Sequence, residues 1–95
     1  MMSPLQKNYA DLKIKYPDAI IWFLFQDFVE TFSDSAETTA DVLQIPLTNR
    51  PDNGLLLCGF QSIYLDNNIR KMIKSGYKIA LVDGNHQLDK YDTKS

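Results

Sequence analysis

The run "AIIWFLF", Ala19 to Phe25, constrains this chain more than any other stretch. It holds seven apolar residues with no polar stripe, and β-branched and aromatic side chains dominate it. That is the pattern of a strand buried on both faces. Pro17 and Asp18 precede it and Gln26 and Asp27 follow it, so it is too short to span a bilayer and too short for a core helix. We expect it at the centre of a sheet.

The other elements arrange themselves around that strand. Ser3 and Pro4 read as an N-cap and first turn, and Leu5, Tyr9, Leu12 and Tyr16 recur at helical spacing, so a helix is expected to run to about Tyr16. "FVETF", Phe28 to Phe32, alternates as a second short strand. Asp34 with Glu37 three residues on resembles a capping box opening a helix that ends near Leu43, with Ala36, Ala40 and Leu43 inward. "QIPLT" and "LLLCGF" flank the polar "NRPDNG" and read as an antiparallel hairpin. "SIYLDNNIRKMIKSG" reads as a helix capped by Ser62 and stopped by Gly76, with Leu65, Ile69, Met72 and Ile73 on one face and Arg70, Lys71 and Lys74 on its polar side. "YKIALV" closes the domain as a strand. The fold class is therefore α+β, one domain over residues 1–82 with a mixed central sheet flanked by three helices, followed by a polar tail over 83–95 without periodicity.

Ninety-five residues allow one core and no separate substrate and cofactor lobes. At 44% hydrophobic residues the chain can fold without disulfides or metal. Its one cysteine, Cys58, cannot bridge internally, reads as a buried thiol and fits a reducing, cytoplasmic setting. No cationic segment leading into an apolar one opens the chain, so no membrane partner is expected. His86 has no Cys or second His near it, so no metal or other cofactor is expected. Asp27 and Glu30 lack a histidine, a serine elbow or a glycine loop beside them, so no enzyme activity is expected. A net charge of −2 argues against general coating of nucleic acid.

"QDFVETF" poses a problem for a simple core. On a strand, Phe28, Glu30 and Phe32 share a face, and burying an unpaired carboxylate between two phenylalanines costs several kcal/mol or forces its protonation. Phe28 alone reads as a core aromatic and Glu30 alone as a solvated edge carboxylate, so a contact surface is the other way to reconcile them.

Taken in order, "YPDAIIWFLFQDFVETFSDSA", "IPLTNR", "GLLLCGF" and "SGYKIALV" resemble the N-terminal mismatch-recognition domain of the MutS family of DNA mismatch-repair proteins. The likeness covers roughly residues 3 to 82. The family's phenylalanine-x-glutamate signature falls on Phe28, Val29 and Glu30. The resemblance implies that Phe28 enters the minor groove and stacks on a mispaired or unpaired base while Glu30 hydrogen-bonds that base. The family's leucine-threonine-x-arginine falls on Leu47, Thr48, Asn49 and Arg50, which makes Asn49 and Arg50 candidate backbone contacts on DNA.

The chain also departs from the pattern. The family's arginine and glycine fall on Leu24 and Gln26, and its proline-tyrosine-histidine corner on Gln61, Ser62 and Ile63. No phosphate-binding glycine loop is present, so the repair cycle's ATPase is not expected here, and the polar end is expected of a stand-alone protein. The implied partner is double-stranded DNA with mispaired or unpaired bases, bound weakly unless a homodimer or protein partner helps. The alternative is a protein-interaction or regulatory module that kept the fold and lost DNA binding, using "WFLFQDFV" as its contact patch.

Overall fold

The computed structural model describes residues 4–50, 54–84 and 91–94. Helix α1 spans Pro4–Lys15, strand β1 Ala19–Phe25, β2 Phe28–Phe32, helix α2 Ser33–Leu43, β3 Thr48–Asn49 and β4 Leu56–Gln61. A short 3-10 turn, Ser62–Tyr64, leads into α3, Leu65–Lys74, and strands β5, Lys78–Asp83, and β6, Tyr91–Lys94, complete the order. The six strands form one mixed sheet, β3-β4-β2-β1-β5-β6, with β1 at its middle, parallel to β5 and antiparallel to β2.

The apolar run of β1 is explained by what covers it. Ile20 and Trp22 belong to a core with Val29, Phe60, Ile79, Leu43 of α2, and Ile69 and Met72 of α3. Ala19, Ile21 and Phe23 point the other way, into a core with Phe32, Ala80, Val82 and Leu12 of α1. Among the described residues, one face thus carries two helices and the other α1. Burial of these side chains at about 25 cal/mol per Å² is the main force holding the layers together.

β1 and β2 pair only from Phe23 and Glu30 to Phe25 and Phe28, then diverge as α2 begins. Side chains replace the missing ladder bonds. Thr31 Oγ1 donates to the Ile21 carbonyl at 2.6 Å, and the Ile21 N–H donates to Ser35 Oγ at 3.0 Å. The Tyr9 hydroxyl donates to the same Ser35 oxygen at 3.1 Å and accepts from the Ser35 N–H at 3.2 Å, which ties α1 to the start of α2. Trp22 Nε1 donates to Thr39 Oγ1 at 2.9 Å, so both buried polar groups are satisfied.

Several details differ from expectation. α2 begins at Ser33, one residue before Asp34, and Phe32 occupies its N-cap without a side-chain bond, so the capping box does not form. Phe32 is needed in the core, and that requirement outweighs local capping. Ser62 opens a 3-10 turn instead of capping α3, and Ile73 is 38% exposed instead of inward. Part of the segment expected to be a tail forms β6, whose backbone pairs antiparallel with β5 from Ile79 and Lys94 to Val82 and Tyr91. The edge of β5 is a pairing template that hydropathy periodicity does not reveal. Ser3, the expected cap of α1, residues 51–53 of the expected turn, and His86 lie outside the described residues.

Candidate nucleic-acid interface

β1 and β2 are joined by the two-residue turn Gln26-Asp27, with Phe25 and Phe28 as the last cross-strand pair. Gln26 adopts φ 43°, the left-handed region that a tight turn of this kind demands and that glycine enters without strain. Two backbone bonds brace the turn. The Ser62 N–H donates to the Asp27 carbonyl at 2.9 Å, and the Gly84 N–H donates to the Leu24 carbonyl at 2.7 Å.

Along β2 the face shared by Phe28, Glu30 and Phe32 runs from open to closed. Phe32 is 1% exposed, Glu30 is half-buried and Phe28 is 40% exposed. The α1 side of the sheet is covered over Phe32 and Phe23 and opens toward the turn. The carboxylate between two phenylalanines is therefore not in the core. It stands at the margin of α1's cover and makes no hydrogen bond or ion pair with any described residue.

Phe28 does not hang free. Its ring lies across β4 at Gly59, where a Cβ would stand 2.6 Å from Phe28 Cε2 and 2.8 Å from the Val29 carbonyl oxygen. On the other side of the hairpin the half-buried Phe25 ring lies at Gly84, where a Cβ would stand 2.6 Å from it. Leu24, on the opposite face, packs against the core under α2 and α3.

Arg50 and Asn49 come from the β3 side of the sheet. Asn49 is exposed on β3 opposite Leu56. Arg50 is half-buried, with its guanidinium carbon 5.9 Å from the centre of the Phe32 ring. Its Nε is buried without a hydrogen-bond partner among the described residues. At about 3.3 Å of rise per residue, the Arg50 end of the row lies roughly 13 Å from Phe28. The structure thus brings Phe28, Glu30 and Arg50 to one face and leaves Asn49 at its edge.

Basic residues divide between the two faces. Arg70, Lys71 and Lys74 belong to α3, which packs on the side away from Phe28. Lys7 and Lys13 belong to α1 on the Phe28 side, where Lys13 donates to the carbonyls of Pro17 and Ala19. The corner at Asp27, Gln61, Ser62 and Ile63 forms a shallow cleft beside the hairpin, with Ile63 80% exposed. Among the described residues no cluster of His, Cys, Asp and Glu could hold a metal ion, and no helix is long and apolar enough to cross a membrane. Cys58 is buried, and desolvation pushes its thiol pKa up to about 11, so it is a core residue and a poor nucleophile.

Gly59 is the residue of this surface that sequence reasoning passed over. The signal was present, because an isolated glycine inside a strand pattern marks close backbone approach.

Comparison with known proteins gives a consistent result. The model of the family described as MutS domain I matches residues 3–94. The DNA mismatch repair protein MutS of Desulfitobacterium hafniense strain Y51 is 36% identical over 86 residues, covering 87% of this chain and 10% of that protein. The protein of the same name from Christiangramia forsetii is 39% identical over 84 residues, covering 86% and 10%. That of Dehalococcoides mccartyi strain BAV1 is 42% identical over 84 residues, covering 85% and 10%. The chain spans about a tenth of the length of these relatives.

Proposed function

We propose, from the premise that this chain belongs to the MutS domain I family, that it is a DNA-binding module that probes mispaired or distorted duplex. Phe28 is the aromatic wedge and Glu30 the carboxylate reader. The observation that carries this reading is the exposure gradient on β2, which leaves an aromatic ring open at the hairpin, next to a carboxylate on the same face that bonds to none of the described residues.

The energetics favour damaged or mispaired sites. Inserting an apolar wedge unstacks a base step at a cost of a few kcal/mol, and a mispaired or unpaired base has already lost part of that stacking and pairing. Stacking a base on Phe28 returns about 1–3 kcal/mol. Glu30 is repelled by phosphates and gains only where a base edge donates to it, so it penalises ordinary duplex. Recognition then rests on deformability and not on base sequence.

Arg50 supplies a phosphate contact on the same face, and Asn49 a polar one at its edge. With so few cations on that face, unaided affinity is expected at about 10⁻⁴ to 10⁻⁶ M. Tighter binding requires a second copy or a protein partner. The experiment is fluorescence anisotropy with a short duplex carrying one unpaired thymine and with its fully paired twin at low salt. A preference for the unpaired site supports the reading. Absence of binding at hundreds of micromolar by folded protein counts against it, and directs attention to protein contacts through Phe28, Ile63 and Tyr64, the exposed apolar residues around this end of the sheet.

A further inference from the structure

We propose that Gly59 is a positioning residue for Phe28: its bare α-carbon is the seat on which the ring lies, and that seat orders the ring before DNA arrives. This inference rests on the reading of Phe28 as the wedge. Phe28 begins β2 at a two-residue turn, is 40% exposed, and makes no ring-to-ring contact with another aromatic among the described residues. Something else must hold the ring. Gln61, its cross-strand partner, is exposed, whereas Gly59, two residues back on the same face of β4, is in direct contact with it.

Any side chain at position 59 takes the space the ring occupies. A Cβ there would stand 2.6 Å from Phe28 Cε2 and 3.2 Å from Cζ. The ring must then lift away, and it loses the surface that fixes its direction. An ordered ring has already given up its rotamer freedom. A lifted ring gives it up on binding, which weakens affinity for the unpaired site by about two- to ten-fold.

The same Cβ would also stand 2.8 Å from the Val29 carbonyl oxygen, so Gly59→Ala strains the β2–β4 pairing as well. A double-mutant cycle separates the two effects. Wild type, Phe28→Ala, Gly59→Ala and the double variant are compared for their affinity for the unpaired-thymine duplex and for its paired twin, each shown to be folded by circular dichroism. The expected result is that Gly59→Ala lowers affinity for the unpaired-thymine duplex two- to ten-fold in the wild-type background and leaves the residual affinity of the Phe28→Ala background unchanged. Equal loss in both backgrounds, or no loss in either, overturns the inference while leaving the wedge reading intact. A wild-type preference that survives Phe28→Ala overturns both, and so does the absence of any wild-type preference. A second measurement covers failure of Gly59→Ala to fold. Nuclear Overhauser contacts between the Phe28 ring protons and the Gly59 α-protons are expected in the free wild-type protein, and their absence overturns the seat directly.

Discussion

The Arg50 guanidinium sits 5.9 Å above the centre of the Phe32 ring while its Nε is buried without a hydrogen-bond partner among the described residues. A cation on an aromatic face is held in place by about 0.5–1 kcal/mol, yet its hydrogen-bond donors are not consumed by that contact. On the proposed reading, the guanidinium's terminal Nη donors, and not the buried Nε, serve a phosphate. Arg50→Ala is then expected to weaken paired and unpaired duplexes alike, leaving their ratio unchanged, and to reduce the slope of log affinity against log salt by about 1. Titrations at three or more salt concentrations measure this, and an unchanged slope argues against phosphate contact.

Glu30 carries the opposite expectation. Its carboxylate is half-buried, makes no hydrogen bond or ion pair with any described residue, and shares a face with Phe28. Glu30→Ala should tighten binding to paired duplex by up to about 1 kcal/mol, the scale of one charge interaction near a wet surface, and should reduce the preference for the unpaired site. Parallel titrations of the two duplexes read both effects. Weaker binding to paired DNA in Glu30→Ala contradicts the assigned role.

Gln26 occupies the left-handed region at φ 43° in the turn that presents Phe28. That conformation costs a residue with a Cβ about 1–2 kcal/mol, and glycine removes the cost while adding entropy to the unfolded chain. Gln26→Gly is expected to gain up to about 1 kcal/mol, raising the melting temperature by roughly 2–6 °C. A lower melting temperature would show that the Gln26 side chain stabilises the turn.

Cys58 supplies a pH signature. Burial raises its thiol pKa to about 11 from an ordinary 9.0, so the folded state holds the proton more tightly than the unfolded state. Its contribution is complete below about pH 9 and is lost progressively as pH rises through about 11. Urea denaturation across that range should show the decline in wild type and not in Cys58→Ala, after allowance for the cavity cost of the substitution.

Much of the fold was legible in the sequence because its elements announce themselves through burial. The two-sided apolar run of β1 and the alternation of "FVETF" have direct counterparts at Ala19–Phe25 and Phe28–Phe32. What was not legible depends on partners distant in the chain. The start of α2 is set by Phe32 entering the core, not by Asp34, and β6 exists as a strand because β5 offers it an edge. The site divides in the same way. The shared face of Phe28 and Glu30 follows from strand periodicity, whereas the placement of Arg50 over Phe32 and of Phe28 at Gly59 needs the three-dimensional register of β3, β4 and β2. The basic helix α3, conspicuous in the sequence, belongs to the other side of the sheet.

The most direct test of the central claim is anisotropy with a labelled duplex containing one unpaired thymine and with its paired twin, at low salt, for wild type and Phe28→Ala. The account predicts a preference for the unpaired site that Phe28→Ala abolishes, at a cost of about 1–3 kcal/mol in binding that site and little change on paired duplex. Equal binding of the two duplexes by wild type, or a preference that Phe28→Ala leaves untouched, would contradict it.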